Sequence, residues 1–174
     1  MAHRVPRTAF SRVIRAVCSV AGATLGCVLF AGCSPAQSDT LVPETADQLR
    51  LLQEASAAWA QAGSAPPPLS EHGRASVHTV DDIDAVCGAS VGAATLACTH
   101  FDPLTIYLSA SIPDPLLART VLHEMGHAIR GDGFHLTIAE GCPEHGRGPF
   151  VMCAAPAVEA PTSPDVAFVE AGAQ

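Results

Sequence analysis

The sequence predicts an α+β domain that combines a small mixed sheet with two long amphipathic helices. Apolar residues recur at helical spacing over residues 44–62 and again between Pro115 and Arg130. Three short segments between these helices alternate in polarity as strands do, at residues 75–80, 91–98 and 105–109. With 174 residues and no internal repeat of about 20–50 residues, the chain is expected to fold as one such domain.

Both helices carry start signals. Thr45, with Gln48 three residues later, forms a capping box at the start of the first helix. Trp59 lies on the apolar stripe of that helix and is interpreted as a core residue rather than a ligand-binding aromatic. The second helix is expected to be capped by Asp114, with Pro115 at its first position, where a missing N–H costs nothing.

Residues 1–32 have the layout of a secretory signal peptide. Four arginines and no acidic residue occupy residues 1–15, and the apolar stretch that follows has 17 residues. A permanent transmembrane helix is disfavoured because spanning a bilayer takes roughly 20 apolar residues. The stretch ends in Phe30-Ala31-Gly32-Cys33, which resembles the lipobox of bacterial lipoproteins, although that pattern prefers Leu where Phe30 stands.

The lipobox resemblance implies a lipid anchor on Cys33, and ordinary cleavage at the same place is the alternative. Either outcome predicts a mature protein outside the cytoplasm, anchored at the outer membrane or cell surface, or secreted. We therefore expect a signal peptide (1–32), a lipid-anchored tether (33–43), a folded domain (44–155) and a loose C-terminal tail (156–174). The tether and the tail are rich in small and polar residues and lack an apolar period.

The mature chain is strongly acidic. If cleavage precedes Cys33, five arginines remain against all 17 acidic residues, because the chain has no Lys. Nucleic acids and anionic lipid head groups both reward clustered basic residues, so binding to either is not expected. Membrane attachment is expected only through a lipid on Cys33.

Four cysteines remain once Cys33 and the two cysteines of the signal peptide are set aside. An even number in an exported domain predicts two disulfides. Of three possible pairings we favour Cys87–Cys98 and Cys142–Cys153, because each pair is 11 residues apart and brackets a Gly-containing segment. A four-cysteine zinc site is the alternative, but the C-x2-4-C spacing typical of such sites does not occur here.

The second helix contains His123-Glu124-Met125-Gly126-His127, the H-E-x-x-H motif of zinc peptidases. Residues four apart share a helix face, so His123 and His127 can direct both imidazoles at one Zn²⁺ ion. Glu124 would take a proton from the zinc-bound water as general base and pass it to the leaving amine.

The segment around the motif resembles the metzincin clan of metallopeptidases, whose helix continues as H-E-x-x-H-x-x-G-x-x-H and is followed by a Met-turn. In this chain Gly131 lies one place later and His135 two places later than in that pattern, as a small loop insertion would explain. The resemblance covers residues 105–153. It implies a zincin-like fold, His135 as the third zinc ligand and Met152 as the Met-turn residue.

Other side chains remain candidates for the third ligand: Asp132, Glu140, Glu144 and His145. A glutamate would serve in a thermolysin-like plan, in which a downstream helix supplies it, but Pro143 disfavours a helix there. The segment 140–142 also resembles a peptide deformylase motif, which in those enzymes precedes the histidine helix rather than following it. His78 and His100 lie on or beside predicted strands and are interpreted as structural, not as ligands.

The sequence therefore predicts a monomeric zinc metallopeptidase, expected to be an endopeptidase, that hydrolyses a peptide or protein substrate. The alternative is a non-catalytic zinc-binding envelope lipoprotein that retains the zincin fold. A third hypothesis treats the motif as accidental in a disulfide-stapled surface protein. A purely structural zinc site usually closes its fourth position with another Cys or His, and no such residue is evident in the motif region, which favours the peptidase.

Overall fold

The computed structural model describes residues 40–88, 95–144 and 148–173. The predicted signal peptide and Cys33 lie outside these residues. In chain order the elements are α1 (Ala46–Ala62), β1 (Val77–Val80), α2 (Ile83–Cys87), β2 (Ala97–Phe101), β3 (Leu104–Ser109), α3 (Asp114–Arg130), a 3-10 turn (Ile138–Glu140) and α4 (Ser163–Gly172). Among the described helices, none has the length and apolar character needed to cross a membrane.

The sheet is small and mixed, as predicted. Its strand order is β1-β3-β2, with β1 parallel and β2 antiparallel to β3. The second of the three strands predicted along the chain, at residues 91–98, differs from the structure. Strand β2 begins at Ala97 and continues to Phe101. A two-residue connection pairs Phe101 with Leu104 and so fixes the register of this hairpin from its turn.

Helix α1 confirms the prediction at both ends. The Thr45 hydroxyl accepts a hydrogen bond from Gln48 N at 3.1 Å, and Gly63 ends the helix at φ +111°, a left-handed conformation that suits glycine. Helix α3 starts one residue earlier than expected. Pro113 is its N-cap, because the Pro113 carbonyl already accepts from Leu116 N at 2.8 Å, and Asp114 lies in the first turn.

The core lies where α1 and α3 meet the sheet. Trp59 is fully buried, and its Nε1 donates to the Leu122 carbonyl of α3 at 2.9 Å. Met125 and Met152 are also fully buried in this cluster. The interpretation of Trp59 as a core residue is confirmed.

Both predicted disulfides are present, Cys87–Cys98 and Cys142–Cys153. The first joins α2 to β2. The second links Cys142, just after the 3-10 turn, to Cys153, which directly follows Val151 and Met152. Local spacing was sufficient for this pairing.

Two segments pack more tightly than predicted. Leu41 falls in the predicted tether but is fully buried, and it exchanges backbone hydrogen bonds with Pro68 and Ser70, so the folded domain includes residues from about 40 onward. The predicted loose tail instead contains α4, in which Asp165 and Val169 are fully buried. Only a few residues of α4 face the core, which is why no apolar period marks it in the sequence.

Candidate metal centre

Three imidazoles converge at the end of α3. His123 and His127 come from the helix, and His135 comes from the loop that follows it. Their Nε2 atoms form a nearly equilateral triangle, with separations of 3.0 Å (His123–His135), 3.1 Å (His123–His127) and 3.2 Å (His127–His135). The three predicted ligands are therefore neighbours, and the cluster could hold a metal ion.

Backbone carbonyls fix which ring nitrogen carries the proton on the two helix histidines. His123 Nδ1 lies 2.7 Å from the Val151 carbonyl, and His127 Nδ1 lies 3.0 Å from the Asp132 carbonyl. A carbonyl oxygen only accepts, so each Nδ1 is the donor and each neutral ring presents a bare Nε2 lone pair to the centre. Such outer contacts orient histidine ligands in metal sites.

The donor set fits a divalent cation. With Nδ1 protonated on both rings, the Nε2 atoms of His123 and His127 face each other across 3.1 Å without a proton between them. Two opposed lone pairs repel unless a cation lies between the nitrogens. Tetrahedral zinc with Zn–N bonds of about 2.0–2.1 Å places its ligand nitrogens roughly 3.3 Å apart, close to the spacing seen here.

Burial keeps these rings neutral. The pKa of His127 is lowered to about 3 by burial above all and then by the neighbouring His123 and His135, with the Asp132 carbonyl opposing the shift. Burial and His123 lower the pKa of the partly exposed His135 to about 4. Burial also lowers the pKa of His123, against the opposing effects of the Val151 carbonyl and the negative charge of Asp165. Neutral imidazole is the form that binds metal.

Glu124 lies beside the cluster and is almost completely buried, with 4% of its surface exposed. Burial raises the pKa of its carboxyl group to about 7, partly offset by a hydrogen bond from Thr99. The Thr99 hydroxyl of β2 donates to Glu124 Oε2 at 2.7 Å and so fixes one carboxylate oxygen. A carboxyl group with a pKa near 7 can both accept and return a proton at neutral pH.

All four predicted site residues line one cleft of about 560 Å³. One wall is the edge strand β2 with the two residues before it (95–99), another is α3, and the loop with His135 and residues 154–156 complete it. Glu124 and Arg119 are the charged side chains among its described lining residues. The size suits a segment of extended peptide or a small molecule.

The alternative third ligands that the structure describes, Asp132, Glu140 and Glu144, do not join the cluster. Asp132 pairs with Arg130 at 2.6 Å, and Glu140 caps the 3-10 turn through Thr137. Glu144 is exposed and is not part of the histidine cluster, and His145 lies outside the described residues.

His78 and His100 lie apart from the centre. Both rings pack against Tyr107, with centroids 5.4 and 5.1 Å from its ring, and His78 Nδ1 also pairs with Glu44 at 2.7 Å. Their structural interpretation agrees with these contacts.

Three contributors to the site were not predicted from the sequence: Thr99, the Val151 carbonyl and Asp165. Thr99 and Val151 carry no local signal, since their role depends on which strand and loop face α3. Asp165, in contrast, is part of a local sequence signal. Thr162 followed by Pro164 and Asp165 is a helix-start signature, and the capping box it predicts is present in α4.

Comparisons of the chain with models of protein families, with curated proteins and with solved structures found no match.

Proposed function

We propose that the protein is an exported zinc metallopeptidase in which His123, His127 and His135 hold one Zn²⁺ ion and Glu124 is the general base. The observation that carries this proposal is the triangle of Nε2 atoms, 3.0–3.2 Å apart, in one cleft with a buried carboxyl group. Three protein ligands with an open fourth position are typical of catalytic rather than structural zinc. The metzincin resemblance is part of the proposal, with Met152 as the Met-turn residue.

The chain's own residues supply the proton chemistry. When bound, zinc supplies Lewis-acid polarisation of a carbonyl and makes water more acidic. Glu124 accepts the proton of the attacking water and then donates it to the amine of the departing product. The Thr99 hydroxyl donates to one carboxylate oxygen of Glu124, Oε2, and so restrains rotation of the carboxylate.

The cleft is suited to an extended peptide. Strand β2 is an edge strand of the described sheet, and residues 95–99 line the cleft. An extended substrate can add to such an edge through backbone hydrogen bonds, which gives affinity without strict sequence preference. An endopeptidase that acts on unfolded or flexible segments fits this geometry.

Export is part of the proposal. Two disulfides close within the described domain, and disulfides persist in oxidising compartments rather than in the cytosol. The lipobox-like Cys33 would then attach the domain to the cell envelope.

The test measures zinc content and casein hydrolysis on the same preparations of wild type, Glu124→Gln and Glu144→Gln. Glu124→Gln keeps the side-chain shape and should retain one zinc ion per chain while hydrolysis falls by about 10²–10⁴-fold. Glu144→Gln, which removes an exposed carboxylate instead, should match wild type in both. Zinc with no hydrolysis in wild type would favour the non-catalytic envelope lipoprotein, and no zinc would refute both readings.

A further inference from the structure

Asp165 is a buried carboxylate for which the proposed chemistry has no use. It lies in α4, is fully buried, and forms no ion pair within the described residues. Its Oδ2 accepts from Thr162 N at 2.9 Å and from the Thr162 hydroxyl at 2.7 Å, which completes the cap of α4. Its Oδ1 is not needed for that cap and accepts from Met152 N at 2.8 Å. The two oxygens therefore serve different elements.

The Met152 N–H and the Val151 carbonyl belong to the same peptide group. One end of this group donates to Asp165 at 2.8 Å, and the other end accepts from His123 Nδ1 at 2.7 Å. A peptide group is planar and conjugated, so a negative charge next to its N–H pushes electron density toward its oxygen. The Val151 carbonyl that faces His123 is thereby made a stronger acceptor.

We propose that Asp165 is a positioning residue of the metal centre, which acts on His123 through the Val151–Met152 peptide group. In many zinc sites a carboxylate accepts directly from the second nitrogen of a histidine ligand, and it fixes the ring and raises its basicity. Here one peptide group is interposed between carboxylate and ring. This inference rests on the proposed metal centre.

The same turn also reaches the third ligand. The Met152 carbonyl accepts from Leu136 N at 2.9 Å, and Leu136 follows His135 directly. By holding Met152 N, Asp165 thus restrains the turn that positions His123 through Val151 and His135 through Leu136. Both effects predict weaker metal binding when the Asp165 charge is removed.

The wild-type protein contains its own control. His127 Nδ1 also donates to a backbone carbonyl, that of Asp132, at 3.0 Å, but no described carboxylate accepts from the next amide. In ¹⁵N-edited NMR of the metal-free protein, the His123 Nδ1–H should resonate downfield of the His127 Nδ1–H and exchange more slowly. The reverse order would overturn the proposal without any variant and without zinc.

The variant test compares Asp165→Asn with Thr162→Val. Asp165→Asn keeps one oxygen able to accept from Met152 N, but it removes the charge and replaces Oδ2 with an NH2 group that cannot accept from Thr162. Zinc should bind roughly tenfold more weakly, and the His123 Nδ1–H should move upfield. Thr162→Val removes the hydroxyl bond to Oδ2 and should lower thermal stability, yet leave zinc affinity and the His123 signal unchanged.

The readouts separate this inference from the proposed function. Zinc affinity is measured by competition with a chromophoric chelator, so it does not depend on catalysis, and the NMR signals do not depend on zinc. Equal zinc affinity in Asp165→Asn and wild type, or an equal loss in Asp165→Asn and Thr162→Val, would reduce Asp165 to a helix cap. Should Asp165→Asn fail to fold, the wild-type order of the two histidine signals decides.

Discussion

The close approach of Met152 to α3 can be tested at Gly126, which lies between Glu124 and His127 in the motif. A Cβ built on Gly126 would overlap Met152 Sδ and would lie 2.8 Å from Trp59 Cζ2. Met152 and Trp59 are both fully buried, and Trp59 is also tied to the Leu122 carbonyl, so neither can retreat toward solvent. We therefore expect Gly126→Ala to strain the core beneath the centre.

The size of the effect follows from two opposed terms. Alanine gains about 1 kcal/mol over glycine from helix propensity inside a helix. Overpacking a buried site costs about 1–3 kcal/mol, and two blocked neighbours at Gly126 favour the upper end of that range. The net loss in the free energy of unfolding should be about 2 kcal/mol, which lowers Tm by roughly 6–8 °C in a domain of this size.

The assay is urea and thermal unfolding of metal-free Gly126→Ala beside Gly133→Ala. Gly133 lies in the next loop, and an added Cβ there has nothing within 4 Å, so its replacement should be nearly neutral. If Gly126→Ala were as stable as wild type or more stable, the effect of the substitution would be that of helix propensity alone, with no cost of overpacking. The packing of Met152 and Trp59 under the motif would then be refuted.

Three further predictions concern metal, disulfides and pH. Zinc at one hundred times its Kd should raise the free energy of unfolding by about 2.7 kcal/mol, and a chelator should abolish that gain in thermal scans. Loss of either disulfide by Ser replacement should cost about 3 kcal/mol from loop-closure entropy, but only Cys142→Ser with Cys153→Ser should also weaken zinc binding, because that pair closes the segment with the Met152 turn. In metal-free protein the three cluster histidines have a lowered pKa in the folded state, so between pH 6.5 and about 4 the unfolded chain binds more protons and stability falls as pH falls. The raised pKa of Glu124 has the opposite effect, because below about pH 7 the folded state binds this proton more tightly than the unfolded chain does. One group opposes three, so stability should still fall from pH 7 to pH 5. A urea midpoint that stays level or rises over that range would contradict the assignment of buried neutral imidazoles.

Much of the fold could be predicted because its signals are local. The capping box at Thr45, the proline at the start of α3 and the 11-residue cysteine spacings depend on neighbours in the chain, and all three predictions agree with the structure to within one residue. Strand β2 was misplaced because its register is set by the turn to β3. Of the predicted segment 91–98, the structure describes residues from 95 onward, and the strand begins there only at Ala97.

The part of the candidate site that lies on helix α3 could be predicted from the sequence. His123, Glu124 and His127 share α3, so their proximity follows from helical spacing alone. The prediction of His135 depended on a family resemblance with two displaced positions, and the structure brings its Nε2 to within 3.2 Å of the Nε2 atoms of both helix histidines. Thr99 could not be inferred, because its contact with Glu124 arises from how β2 crosses α3.

The C-terminal helix shows why weak sequence signals can still matter for a site. Helix α4 has few core residues, so no apolar period predicts it, yet Asp165 anchors the turn that bonds to His123 through Val151 and adjoins His135 through Leu136. Ligands from a helix and from a loop can keep a common geometry only if something restrains the loop against the helix. In this domain one such restraint is the turn with Val151 and Met152, which Asp165 of α4 holds at Met152 N and the Cys142–Cys153 disulfide holds at the next residue. Truncation before Ser163 should therefore weaken zinc binding although every ligand remains, and unchanged zinc affinity after that truncation would show that α3 and the disulfide suffice.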